Sequence, residues 1–175
     1  MKSAGKREAK SGVPRAASGE RRAGSTFALL VIGYGNELRG DDGVGPKTAA
    51  AVAEWNLPDV RTVICHQLTP ELAVPIAAAQ CVVFVDAAVD CGTSVELQAL
   101  QPADSAEVMA HAPDPRSLLG LAKDIFGRSP SAFWLTIPIE NVDFGENLSA
   151  CAHDGMQIAL EKIRQLLMPG NGSGA

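Results

Sequence analysis

Short apolar runs separated by longer mixed segments set the pattern of this chain. "FALLVIG" (27–33), "VRTVICH" (60–66), "CVVFVDA" (81–87) and "AFWLTIPI" (132–139) are rich in β-branched and aromatic residues and read as strands. The third is apolar up to its aspartate, as expected of a parallel strand buried on both faces. "SVELQAL" (94–100) alternates and reads as an edge strand. Helical segments lie between these runs. One starts near Pro46, a residue tolerated in a first turn, and continues through "KTAAAVAEW" to about Trp55. "PELAVPIAAA" (70–79) is a second, which Pro75 should kink or shorten. Asp114-Pro115 opens "RSLLGLAKDIFG", with Asp114 as N-cap and Gly127 as the stop. The last helix, 149–167, has Met156, Ala159, Leu160, Ile163, Leu166 and Leu167 at helical spacing. Strands alternating with helices predict an α/β fold: a three-layer α/β/α domain with a twisted, mostly parallel sheet of about five strands.

A length of 175 residues and an apolar fraction of 46% fit one globular domain with a substantial core, expected over residues 26–168. Charge is unevenly spread. Residues 1–25 carry seven Lys/Arg against Glu8 and Glu20, a net of +5, which leaves −10 for the rest of a chain whose total is −5. That head, rich in Ser, Ala and Gly, reads as a disordered basic tail, and residues 169–175, "PGNGSGA" from Pro169, as a flexible end. The acidic body lacks the basic face that nucleic-acid binding needs. No run approaches the roughly 18 apolar residues of a membrane span. The run after Arg21-Arg22 leads straight into a glycine-rich loop and so reads as a buried strand, not a secretory signal. The expected location is therefore cytoplasmic. Cys65, Cys81, Cys91 and Cys151 lie far apart with no C-x-x-C pair, which supports neither a zinc knuckle nor a disulfide framework. Cys65 and Cys81, inside apolar runs, are expected as buried free thiols.

Ligands of open α/β sheets gather at the carboxyl ends of the strands. Asp41 and Asp42 follow the first strand, Asp86 closes the third, and His111 precedes the third main helix. Two carboxylates and an imidazole form an O,O,N set able to engage a borderline divalent ion with coordination positions left open. Each residue also has a plainer role: Asp42 as cap of the following helix, Asp86 as acceptor for strand-end donors, His111 as a solvated loop residue. In "VIGYGNELRGDDGVG" (31–45), Leu38 stands at the third position of G-x-G-x-x-G, and no phosphate-loop motif follows, so a dinucleotide cradle is disfavoured. The glycines suit close backbone approach or positive φ. No G-x-S-x-G elbow and no H-E-x-x-H helix is present.

Taken together, "GYGNELRGDDGVG", "CVVFVDA", "HAPDPRSLLGLAKDIFG" and "IPIENVDFGENLS" make the chain, from about Ala28 to Leu167, resemble the hydrogenase maturation endopeptidases. These proteases remove a C-terminal peptide from the large-subunit precursor of nickel–iron hydrogenases. "HQLTPELA" (66–73) looks like the branch serving soluble, bidirectional hydrogenases. The resemblance implies a mainly parallel sheet flanked by helices, with metal-engaging positions at Asp42, Asp86 and His111. At position 42 the family often has glutamate, one methylene longer. His66 is a neighbouring imidazole where other branches carry a Gly-rich turn. His153 lies outside the matched motifs and reads as a surface residue, and residues 1–25 have no counterpart in the family.

The implied partner is the large-subunit precursor, and the implied metal is nickel carried by that substrate, with weak or no metal of the protein's own. A sparse Asp, Asp, His set suits recognition of nickel already held by substrate cysteines better than retention of a catalytic zinc. Water or hydroxide then attacks the scissile carbonyl, with Asp41 a candidate general base. Two alternatives stand beside this: an aspartate-type protease in which Asp42 and Asp86 act directly as acid and base, and a non-catalytic checkpoint that binds nickel-loaded precursor. A phosphohydrolase is disfavoured, because no phosphate loop accompanies the aspartates.

Overall fold

The computed structural model describes residues 27–89, 94–103 and 114–168. Five strands build one sheet: β1 (Phe27–Tyr34), β2 (Val60–Cys65), β3 (Ala79–Ala88), β4 (Glu96–Leu100) and β5 (Ser131–Pro138). Their order is β2-β1-β3-β5-β4, with every neighbouring pair parallel except β4 against β5. Among the described residues four α-helices flank the sheet: α1 (Val44–Ala53), α2 (Ala73–Ala78), α3 (Pro115–Phe126) and α4 (Ala150–Leu167).

Alternation along the strands separates two cores. Leu30 and Ile32 of β1 join Val82 and Phe84 of β3 on the face covered by α2 and α3, with Ile76, Leu118 and Leu119 packed there. Leu29 and Val31 join Val83, Val85, Leu135 and Ile137 on the opposite face, under Val44 and Val52 of α1 and Ile163 of α4. A strand covered on both faces has no polar positions to alternate, which explains the continuous apolar runs. This is the expected α/β architecture, with "SVELQAL" forming the antiparallel edge strand.

Helix limits differ in detail. Helix α1 starts at Val44, two residues before Pro46, which therefore sits within its first turn. Around Pro75 the expected helix divides into a 3₁₀ turn, Pro70–Leu72, and the six-residue α2, so the helix is shortened, as expected, and the proline falls in its first turn. Asp114 caps α3 by accepting from the Ser117 N–H at 2.8 Å, and Gly127 ends it at φ 68°. Cys65 and Cys81 are half-buried and, with Cys151, are free thiols. The expectations for residues 1–25 and 169–175, Cys91 and His111 fall outside the described residues. No helix among the described residues is long and apolar enough to cross a membrane.

Candidate active site

The site begins where β1 runs out. The segment 35–43 turns the chain from β1 into α1 in little space, ending in a 3₁₀ turn, Gly40–Gly43. Two glycines permit this. A Cβ on Gly45 would lie 2.6 Å from the Tyr34 carbonyl oxygen and 2.5 Å from that of Val85, so the start of α1 rests directly on two strands. Gly35 takes φ +139°, and a Cβ there would run into the Asp42 carbonyl oxygen.

The adjacent aspartates face different surroundings. Asp41 is fully buried. Its Oδ1 accepts the Ser149 N–H at 2.6 Å, while Oδ2 accepts from Glu140 N at 3.1 Å, Asn141 N at 2.9 Å and the Ser149 hydroxyl at 2.8 Å. Burial works to raise its pKa, but backbone N–H groups of Ser149, Asn141 and Glu140, with the Ser149 hydroxyl, outweigh it and leave the pKa below the usual carboxylate range. Fully buried and hydrogen-bonded through both oxygens, Asp41 anchors a loop. Main-chain bonds extend the anchor: Gly40 N–H donates to Gly145 O at 2.7 Å, and Asp41 N–H to Asn141 O at 2.8 Å.

Asp42 is half-buried, and its Oδ2 accepts the Asn36 N–H at 2.8 Å. It does not cap α1, whose N-cap is Gly43 with no side-chain hydrogen bond. The carboxylate instead braces its own loop. Asp86, near the carboxyl end of β3, lies close enough for the Asp42 charge to act on it. Burial is the largest influence raising its pKa and Asp42 adds to it, while a hydrogen bond from Tyr34 pulls the other way; the net direction is upward. The Asp42 charge thus acts on Asp86, while the Asp41 carboxylate is taken up by residues 140–149.

Asp86 also borders a cavity of about 400 Å³ lined by Tyr34, His66, Leu68, Asp114 and Trp134 among others. His66 accordingly lines the same cavity as Asp86. His153 lies exposed on α4, 3.6 Å from Asp154, as expected of a surface residue. Among the described residues no three His, Cys, Asp or Glu side chains converge as a metal-binding group. The pair Asp42 and Asp86 offers oxygen donors suited to a divalent cation held mainly by other ligands.

Two participants escaped the sequence reading. Tyr34 donates its hydroxyl to Asp86 Oδ2 at 2.7 Å. The only signal for this was the chain's single tyrosine between two glycines at a strand end, and its partner depends on register. Parallel pairing of Gly33 with Val85 brings Tyr34 beside Asp86. Trp134, from β5, lines the same cavity, and its buried indole N–H makes no hydrogen bond of good geometry.

No protein-family model matches the chain, and no curated protein matches it in sequence. Solved structures do match in fold. The [NiFe] hydrogenase maturation protease HybD from Thermococcus kodakarensis superposes with a TM-score of 0.63 at 20% identity, over 81% of this chain and 100% of that one. HycI, a [NiFe] hydrogenase maturation protease from Thermococcus kodakarensis KOD1, gives 0.62 at 24% identity, covering 81% and 92%. The hydrogenase maturating endopeptidase HybD from E. coli gives 0.61 at 19% identity, covering 81% and 92%. The chain therefore shares its α/β fold with the hydrogenase maturation proteases.

Proposed function

We propose that this protein is an endopeptidase that removes the C-terminal extension of a nickel–iron hydrogenase large-subunit precursor after nickel insertion. What supports the reading is the fold shared with maturation proteases, together with Asp86 at the carboxyl end of a parallel strand, bordering a cavity and under the influence of the Asp42 charge. Asp42 and Asp86, with His111, engage the nickel that the substrate brings. Ligation holds the C-terminal segment against the site, so that positioning supplies much of the rate. A water then attacks the scissile carbonyl. The same reading takes residues 26–168 as one protease domain acting in the cytoplasm, in the branch serving soluble, bidirectional hydrogenases.

The raised Asp86 beside Asp42 also favours a second reading, in which the pair works as acid and base without nickel. One experiment separates them. The purified protein is offered nickel-loaded and nickel-free precursor, and the products are weighed. Release of a C-terminal peptide from the loaded form alone is expected. Equal release from both forms supports the metal-independent pair, and no release from either leaves a checkpoint that binds without cutting.

A further inference from the structure

A carboxylate at a strand end is free about its last torsion, which for aspartate is broad and roughly two-fold. A residue that must offer one oxygen at one place needs that torsion held. Tyr34 supplies a suitable hold. Its ring packs against the core beneath α2 and α3, so its hydroxyl is placed by a rigid body and not by a mobile loop. The 2.7 Å bond from that hydroxyl occupies Asp86 Oδ2. The Ala87 backbone N–H and the Trp134 indole N–H also favour the ionised Asp86 carboxylate, but among the described side chains only the Tyr34 hydroxyl donates to it in good hydrogen-bond geometry.

The geometry points to Tyr34 as a positioning residue: by holding Oδ2 it fixes the plane of the Asp86 carboxylate and leaves Oδ1 as the oxygen presented to substrate. This inference rests on the reading of Asp86 as a site residue. A phenylalanine at position 34 would fill the same core space and provide no such hold. Removal of the hydroxyl alone is therefore the informative change.

Tyr34→Phe in the full chain tests it by two measurements. In a crystal structure of the variant, the Asp86 carboxylate is expected to rotate or to occupy more than one orientation. With nickel-loaded precursor, kcat is expected to fall roughly tenfold while KM changes less than about twofold, because binding groups remain and only aim is lost. An unchanged single orientation of Asp86, an unchanged kcat, or a rise in KM alone would overturn the assignment. Should the wild-type protein release no peptide, the processing reading fails, and the Asp86 orientation in the variant still decides the role of Tyr34.

Discussion

Ser149 gives both its backbone N–H and its hydroxyl to the carboxylate of Asp41, 108 positions earlier in the chain. The same hydroxyl oxygen accepts the Ala152 N–H at 3.2 Å and so caps α4. One buried carboxylate thus ties together the loop after β1, the segment after β5 and the start of the last helix. The pairing gives the "DD" of the motif two separate surroundings, Asp41 held by residues 140–149 and Asp42 holding the Asn36 N–H while its charge acts on Asp86.

Asp41→Asn replaces an acceptor of four hydrogen bonds with an amide that turns its own donors toward some of them. The expected loss of stability is about 2–3 kcal/mol, read from the urea midpoint at constant m-value. Its pH dependence has a definite sign. The folded pKa of Asp41 lies below its ordinary value of about 3.9, so its contribution is present above that value. It is lost as pH falls through the depressed folded pKa, and the gap between wild type and variant should close in acid. A gap that stays constant down to about pH 2 contradicts this.

Asp86→Asn should behave in the opposite way. Folding raises the Asp86 pKa, first through burial, so the ionised carboxylate is a cost to the folded state. That cost is absent below the unfolded pKa of about 3.9, grows as pH rises, and is complete above the folded value. The amide keeps an acceptor for Tyr34. The variant is expected to unfold at the same or higher urea concentration than wild type at neutral pH, while releasing no peptide from nickel-loaded precursor. Lower stability at neutral pH, or retained processing, would count against a functional carboxylate here.

Gly45→Ala sets a methyl group against two strand carbonyls and should cost about 2–3 kcal/mol, or prevent folding. Gly127→Ala is the control. It takes φ +68° at the end of α3 with nothing within 4 Å of a new Cβ, and should cost about 1 kcal/mol of backbone strain. Equal losses in the two variants, measured by thermal unfolding, would remove the argument that close approach, and not glycine's flexibility, selects position 45.

Asp114→Ala removes the acceptor for the Ser117 N–H and should lower stability by about 1 kcal/mol. Asp114→Ser, which retains a capping oxygen, should recover most of that loss. Failure of serine to do so would mean that Asp114 matters through the cavity it lines and not through α3.

Legibility in the sequence followed the range of the interactions involved. The strands were readable because burial on two faces leaves an unbroken apolar run, and Asp114 and Gly127 because capping is decided within four residues. Pro46 marks the first turn of α1 because a missing N–H costs nothing there, and the helix starts two residues before it. Asp41 and Asp42 could not be told apart, since the donors that distinguish them come from residues 140–149 in one case and Asn36 in the other. Tyr34 was equally hidden: its partner stands 52 positions away, and only the register of two strands brings them together.

The segment from Gly35 to Gly43 is a loop in shape but not in freedom. The Asp42 carbonyl oxygen lies where a Cβ on Gly35 would stand, the Asp42 carboxylate holds the Asn36 N–H, and Asp41 is locked to the chain before α4. On the proposed function, little ordering is then left for this segment when the precursor docks beside it. The conformational entropy lost on association falls instead on the partner's own chain end, which must settle from many arrangements into one. A partner whose end is already gathered around a metal has surrendered much of that freedom beforehand, so a rigid receiving loop favours it over one whose end is still loose.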